Sequence, residues 1–230
     1  MKKVVVLTGA GISAESGIST FRDADGLWEG HDVMEVASPI GWERNQELVL
    51  DFYNKRRRQL KGVKPNAAHK ALKELEEKYE VHIITQNVDD LHERAGSNNV
   101  IHLHGELKKV RSTFDENLVL DWEIDLNKGD FCEHNHQLRP HVVWFGEAVP
   151  MMEPAMEITR EADILMIIGT SMQVYPAAGL LHYAPQDTPV YFIDPKPSVK
   201  ETRHLKIFPE KASTGVPKVV RDLLGKDQKT

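Results

Sequence analysis

The segment Gly9-Ala10-Gly11-Ile12-Ser13-Ala14 directly follows the apolar run Val4–Leu7. It has the G-x-G-x-x-A form, in which glycines let the backbone turn tightly and approach a pyrophosphate whose charge is favoured by the N-terminus of a following helix. A plain strand-to-helix turn uses the same residue types, so the loop alone leaves both readings open. A hydride-transferring enzyme would next need a second strand ending in an acid about 20 residues on. Here the chain continues Glu15-Ser16-Gly17-Ile18-Ser19-Thr20-Phe21-Arg22-Asp23, without a strand pattern. The loop points to a dinucleotide, and its sequel points away from ordinary hydride transfer.

Other residues have types that could do chemistry. His104 follows the apolar run Val100–Leu103 and precedes Gly105-Glu106. An imidazole titrates near neutrality and can serve as a general base; a satisfied histidine at a strand end is the plain alternative. His102 would point to the same face of a strand, but no third side chain at a clear spacing completes a metal site with it. Asn87 and Asp89 share a face of an extended segment, where such residues also cap loops. Tyr53 and Arg56 lie three apart in Phe52-Tyr53-Asn54-Lys55-Arg56-Arg57, so both side chains can meet on one helical face. Taken alone, that run reads as a solvated basic face.

These side chains need a scaffold. Short apolar runs bounded by turn residues recur at Val4–Leu7, Val81–Thr85, Val100–Leu103, Val142–Phe145, Ile164–Gly169 and Val190–Ile193. They lack polar alternation, as strands buried on both faces do. Helical patterns occur at Ala67–Tyr79, Pro154–Ala162 and Val216–Leu224. This alternation predicts an α/β fold with a mostly parallel, doubly wound sheet whose ligands sit at the carboxyl ends of the strands. Two segments break it. Trp28–Lys64 reads as a helical insert with its longest helix around Gln46–Leu60, and Glu106–Pro140 holds strand-like pieces at Leu107–Arg111 and Val119–Trp122. The expected division is a Rossmann-like domain from 1–27, 65–105 and 141–230, and a small inserted domain from 28–64 and 106–140, with a cleft between them.

Composition bounds the rest. The chain has 230 residues, of which 40% are hydrophobic, enough for a sizeable core. Its net charge of −6 offers no footprint for nucleic acid, and the longest basic run, Lys55-Arg56-Arg57-Arg58, is short. No apolar stretch approaches a bilayer span, and the run after Met1-Lys2-Lys3 stops at Thr8-Gly9, short of a signal sequence. One cysteine, Cys132, excludes an internal disulfide and fits a reducing compartment. A cytoplasmic protein is expected, without nucleic acid or membrane as partner.

Gly9-Ala10-Gly11-Ile12-Ser13-Ala14-Glu15-Ser16-Gly17-Ile18 with Thr20-Phe21-Arg22 resembles the opening motif of the sirtuins, NAD-dependent protein lysine deacylases. Thr85-Gln86-Asn87-Val88-Asp89-Asp90-Leu91-His92 is similar to the family's nicotinamide-pocket motif, and Leu103-His104-Gly105-Glu106 to its catalytic histidine motif. Leu138-Arg139-Pro140-His141-Val142-Val143-Trp144-Phe145-Gly146-Glu147 resembles its peptide-binding strand, and Gly169-Thr170-Ser171 with Val174 and Pro176-Ala177-Ala178 completes the order.

The resemblance implies that the nicotinamide–ribose bond breaks and the acyl oxygen of an acyl-lysine takes the anomeric carbon. His104 then acts as base toward the ribose hydroxyls so that the 2′-oxygen attacks the imidate carbon, and water releases free lysine and 2′-O-acyl-ADP-ribose, nicotinamide having left in the first step. By the same resemblance Asp89 accepts from the nicotinamide amide and Asn87 orients the ribose side or a water. Phe21 covers the vacated ribose face, Arg22 binds phosphate or orders its loop, and Gln86 meets the ribose hydroxyls. The NAD site would be drawn from Gly9, Ala10, Gly11, Ser13, Ala14, Glu15, Phe21, Arg22, Trp28, Gln86, Asn87, Val88, Asp89, His104, Gly169, Thr170, Ser171, Asp194, Pro195 and Ala212. The family commonly has asparagine where Asp194 falls. Val143, Trp144, Phe145, Gly146 and Glu147, with Val174 and Tyr175, would receive a substrate peptide added as a strand. Tyr53-x-x-Arg56 with the small Ala37 resembles the members that remove succinyl and malonyl groups, where Arg56 would hold a terminal carboxylate.

Most sirtuins hold zinc on two Cys-x-x-Cys pairs. Here the first pair falls on Ser112 and Asp115, and the second region reads Phe131-Cys132-Glu133-His134-Asn135-His136. A tetrathiolate is impossible, and the zinc-ribbon-like insert is expected to have lost its metal and to rest on apolar packing through Leu118, Leu120, Trp122 and Leu126. Two alternatives share the cleft: a protein ADP-ribosyltransferase, and a catalytically silent NAD or ADP-ribose sensor. The joint presence of His104, Asn87 and Asp89 argues against the sensor.

Overall fold

The computed structural model describes residues 1–19, 27–172 and 174–226. Six parallel strands form the main sheet: β1 (Lys3–Thr8), β4 (Glu80–Thr85), β5 (Val100–His102), β9 (Ile164–Ile168), β10 (Val190–Ile193) and β11 (Leu205–Phe208). Their order is β11-β10-β9-β1-β4-β5. β1 is central, with Leu7 in register with Ile84 on one side and Ile167 on the other. Successive side chains of a strand face opposite ways. Val4 and Val6 therefore join the layer under α4 (Ala67–Leu75) and α7 (Ala212–Leu224), while Val5 and Leu7 join the layer under α6 (Met152–Arg160) and the 3₁₀ helix Ala177–Tyr183.

A third cluster gathers the inserted segments. It unites α1 (Val33–Val36), α2 (Pro39–Arg44) and α3 (Gln46–Gly62) with a sheet of β6 (Gly105–Ser112), β7 (Val119–Asp121) and β8 (Leu138–Val142), in the order β7-β6-β8. A short hairpin of β2 (Leu27–Trp28) and β3 (His31–Asp32) precedes it. The short helix α5 (Leu91–Arg94) follows β4. α3 is pinned by a buried polar net: Asn54 bonds the Leu126 backbone through both donor and acceptor, and Arg57 donates to Leu107 O at 3.0 Å and to Asn54 Oδ1 at 2.7 Å.

Several details depart from the sequence expectation. Val142–Phe145 is not a strand of the main sheet. β8 ends at Val142, antiparallel to β6, and residues 143–147 leave it as a loop turning at Gly146. The dinucleotide loop runs into two three-residue 3₁₀ turns, Ala10–Ile12 and Ala14–Ser16, rather than a regular helix. Among the described residues, no regular helix therefore starts directly from the loop. α7 starts at Ala212, four residues before the expected Val216, and carries Pro217 inside. β11 is an additional edge strand, and its four residues are too few to display a period.

Buried histidines give the fold a pH dependence. His69 completes the capping box of α4 with Asn66 and is fully buried, and burial pushes its pKa down to about 4 from 6.5. Below the ordinary histidine range the unfolded chain takes up a proton that the folded chain refuses. His69 thus adds nothing to acid sensitivity above about pH 6.5, and its contribution is lost as pH falls toward 4, on the order of 3 kcal/mol. His92, in ring contact with His69 at 4.9 Å, is held low for the same reason. Urea unfolding between pH 7 and 4.5 is expected to show a shallower loss for His69→Gln than for the parent. Parallel curves would contradict it.

Candidate active site

The carboxyl ends of β1, β4, β5 and β9 converge. Leaving β1, Gly9 N donates to Ile168 O (3.0 Å) and Gly11 N to Gly169 O (2.9 Å). A Cβ on Gly11 would lie 2.6 Å from Gly169 Cα, and one on Gly9 2.8 Å from Gly169 O, so only glycine permits this seam. Ala10 and Ala14 border it half-buried, and Ser13 is fully buried. Glu15 reaches the last helix, accepting from Ser213 N at 3.0 Å beside buried Ala212.

The segment after β4 closes on this loop. Asn87 Nδ2 donates to Gly9 O (3.1 Å) and Ser13 Oγ (3.2 Å), while Ser13 Oγ donates to Asp89 Oδ2 (2.9 Å). Asp89 also accepts from Leu91 N, and burial, opposed by these two bonds, raises its pKa. Gln86 Nε2 donates to Thr170 Oγ1 at 3.1 Å, joining β4 to the end of β9. Val88 passes its carbonyl to Leu107 N. Ser171 follows Thr170, and its carbonyl accepts from Ser198 Oγ. Asp194, buried at the end of β10, accepts from Lys196 N across exposed Pro195.

His104 stands where the chain turns from β5 into β6. Gly105 makes that turn with φ +80°, and a Cβ there would lie 2.1 Å from His141 O. His104 Nδ1 is 3.0 Å from Gln86 O, a group that only accepts. Nδ1 must therefore carry the hydrogen, which leaves Nε2 with a free lone pair. Burial, opposed by the Gln86 bond, holds its pKa below 6.5. This is a base ready at neutral pH, bonded to the loop that faces the glycines.

The loop at 143–147 is anchored on both sides. Val143 N donates to His104 O and Phe145 N to Ala37 O, each at 2.9 Å. Trp144 N and Glu147 N are also bonded, so a peptide strand laid here meets mainly carbonyl acceptors. The Glu147 carboxylate, half-buried beside a cavity that Arg111 and Arg139 also line, takes both arginines and the Trp144 amide. Arg139 lies 3.3 Å over the Trp144 ring. Val174 and Tyr175 sit across the site, where Val174 O starts the 3₁₀ helix and Tyr175 is exposed.

Tyr53 is fully buried on α3, and its hydroxyl accepts from Trp144 Nε1 at 3.0 Å; burial raises its pKa. Trp28 packs edge-on against Phe52 (4.9 Å) and Tyr53 (6.1 Å), on this side rather than at the glycines. Arg56 lies 4.9 Å over Phe52 and 3.7 Å from Glu29. Its Nε and Nη1 are buried without a hydrogen-bond partner. Glu29, Arg139 and Glu93 were not anticipated: no local pattern connects them to their partners. Phe21 and Arg22 lie outside the described residues.

In the inserted sheet, Cys132 Sγ is 3.2 Å from Ser112 Oγ. His136 stacks on Phe114 at 4.5 Å, and Asp115 accepts from Asn117 N. Among the described residues no three potential ligands gather into a metal site. Leu126 is fully buried and Leu118 and Trp122 pack beside it, but Leu120 is exposed and does not share that role. Among the described residues no helix is long and apolar enough to cross a membrane.

A family model described as the Sir2 family matches residues 9–176. A Helicobacter pylori protein named NAD-dependent protein deacylase is 66% identical over 196 residues, covering 85% of this chain and 86% of that protein. A Bacteroides thetaiotaomicron protein of the same name is 52% identical over 231 residues, covering 97% and 99%. A crystal structure of a Sir2 homologue in complex with NAD has a TM-score of 0.85 at 40% identity, over 98% of this chain and 90% of that one.

Proposed function

The chain belongs to the Sir2 family and is an NAD-dependent protein deacylase, and from that premise we propose that it removes acidic acyl groups, succinyl and malonyl, from lysine side chains as well as acetyl. The observation that carries the acidic specificity is Arg56, whose Nε and Nη1 are buried with no hydrogen-bond partner. Arg56 has the long 3.7 Å ion pair with Glu29 but no hydrogen bond at these two nitrogens, and a ligand carboxylate would supply it. Tyr53, one turn away, keeps its O–H proton to donate, since its oxygen only accepts from Trp144. Ala37, a small residue of the same buried cluster as Tyr53, holds the Phe145 amide through its carbonyl.

The site fits a dinucleotide. The glycine seam lets backbone come close to phosphate, and Thr170, Ser171 and the Asp194 carboxylate offer hydroxyl, backbone and acceptor groups at neighbouring strand ends. NAD, when bound, supplies an anomeric carbon with nicotinamide as leaving group. Asn87 and Asp89, tied to Gly9 and Ser13, orient its nicotinamide end. Gln86, fixed by Thr170, faces the ribose hydroxyls. His104 Nε2 takes the proton from a ribose hydroxyl. The loop at 143–147 holds the peptide by its main chain, so the lysine reaches the cleft between sheet and inserted domain. Products are nicotinamide, free lysine and 2′-O-acyl-ADP-ribose. A single buried cysteine supports a reducing, cytoplasmic place of work.

Mass spectrometry of acetylated, succinylated and malonylated lysine peptides, with and without NAD, tests this reading. NAD-dependent loss of all three groups is expected. Free nicotinamide without deacylation would favour ADP-ribosyl transfer to protein. The enzyme is further expected to work without zinc, the inserted sheet being held by its apolar cluster and the Asn54–Arg57 net. Stoichiometric zinc in elemental analysis after chelator washing, or unfolding on chelation, would overturn that.

A further inference from the structure

His102 takes no part in the reaction described above. It precedes His104 by two residues on β5, and its side chain is 8% exposed. Its Nδ1 lies 3.0 Å from the backbone oxygen of Asn87, and its Nε2 lies 2.7 Å from Glu93 Oε1. A carbonyl oxygen only accepts, and an ionised carboxylate only accepts. Both ring nitrogens must then donate, which requires the imidazolium.

From this geometry we infer that His102 is a positioning residue: a nearly buried imidazolium, steadied by Glu93, that fixes the Asn87 carbonyl and thereby sets Asn87 and Asp89 for NAD. The inference rests on the reading of those two residues as the nicotinamide end of the site. Two consecutive carbonyls are held by two histidines, Gln86 O by His104 and Asn87 O by His102. The Asn87 amide N–H is bonded to Thr85 Oγ1, so the backbone of this residue is held on both sides. Rotation of the backbone here would carry Asn87 Nδ2 away from Gly9 O and Ser13 Oγ, and Asp89 away from Ser13.

The two histidines differ in charge because their surroundings differ. His104 makes one bond and keeps a lone pair. His102 on β5 faces Glu93 from α5, Glu106 from β6 and Asp89 from the loop after β4, with His92 of α5 as a nearby basic group. Burial opposes its charge, but the Glu93 bond and attraction, the Asn87 carbonyl and Glu106 outweigh it, so its pKa stands above 6.5. Glu93 is exposed on its outer side, and the same bond to His102 holds its carboxyl below its ordinary value. Activity should therefore fall on both sides of neutrality. On the acid side His104 becomes protonated below 6.5. On the alkaline side His102 loses its charge and releases either Glu93 or Asn87.

Two measurements test this on the full chain. Nitrogen-15 NMR of the histidine rings should show both His102 nitrogens protonated at pH 6.5 and one at high pH. A neutral His102 at pH 6.5 overturns the inference whether or not the protein deacylates any peptide. Second, kcat/KM for NAD is followed against pH in the parent, H102Q and E93Q. H102Q should raise KM for NAD roughly tenfold and lose the alkaline limb, while kcat changes less. E93Q keeps a partner but not the charge, and should move the alkaline limb down toward pH 6.5. An unmoved limb in E93Q overturns the positioning role even if H102Q does not fold. Failure of the parent to deacylate would instead remove the proposed function, and direct NAD binding by E93Q against the parent at pH 7 and 9 would still decide the role of His102.

Discussion

Replacing His104 with alanine is expected to lower turnover by roughly 10²–10⁴ while leaving NAD binding largely intact. The separation follows from geometry. His104 touches the protein through one bond, Nδ1 to Gln86 O, and that carbonyl can be met by water once the ring is gone. Gln86 itself stays fixed by Thr170, and its amide stays paired with Thr8 O. The glycine seam and the Asn87–Ser13–Asp89 chain do not involve the imidazole. What disappears is the Nε2 lone pair, a group that matters only after the dinucleotide is seated. Calorimetric binding of NAD should change little, and steady-state deacylation should collapse. In the parent, burial holds the His104 pKa below 6.5, so the base is unprotonated at neutral pH and is lost only as the solution becomes acidic. A His104→Ala enzyme with near-normal deacylation would remove the assignment.

Arg56→Met is expected to weaken desuccinylation roughly ten- to a hundredfold, mostly through KM, and to spare deacetylation. A charge-assisted hydrogen bond is worth about 1.5–3 kcal/mol, which sets that range. Methionine matches the aliphatic stem of arginine, so the change removes the donors and the stacking of the guanidinium on Phe52 while keeping most of the stem's bulk. The ion pair with Glu29 is long, 3.7 Å, and partly exposed, and its loss costs little by itself. An acetyl group has no charge for Arg56 to meet. Paired kinetics on one peptide carrying either acyl group provide the check. Equal losses on both substrates would mean that Arg56 only supports the helix.

The reasons why some features were visible in the chain and others were not are physical. Val4–Leu7, Ile164–Ile168 and Val190–Ile193 are buried on both faces of a parallel sheet, so their apolar runs are unbroken and announce themselves. Gly9, Gly11 and Gly105 are visible because no other residue permits their backbone approach. The apolar stretch Val142–Phe145 misleads because burial has two sources there: Val142 belongs to a strand, while Trp144 is buried in a loop by Tyr53 and Arg139. Periodicity cannot tell these apart. The ion pairs of Glu147 with Arg139 and Arg111 join residues 8 and 36 apart in sequence and leave no local pattern. Arg57 reads as one charge of a basic run, yet it is 2% exposed and spans from α3 to the Leu107 carbonyl. Long-range polar pairing leaves no local signature, and most of the chemistry of the cleft is of that kind.

The central place of β1 sets a timetable for the ribosome. β1 is made first, its neighbour β4 begins at residue 80, and its other neighbour β9 begins only at residue 164. At about 5–20 residues per second, the wait between the end of β1 and the end of β9 lasts roughly 8–30 s. During it the nascent chain carries Val4–Leu7 with one edge unpaired, the kind of apolar edge that recruits wrong partners. The glycine loop is equally unfinished, since the backbone of Gly169 forms its far wall. A chain halted before that residue has both conspicuous glycines and no cradle for them to make. The opening nine residues therefore acquire their shape almost last, and NAD can assist folding only once nearly three-quarters of the chain has been made.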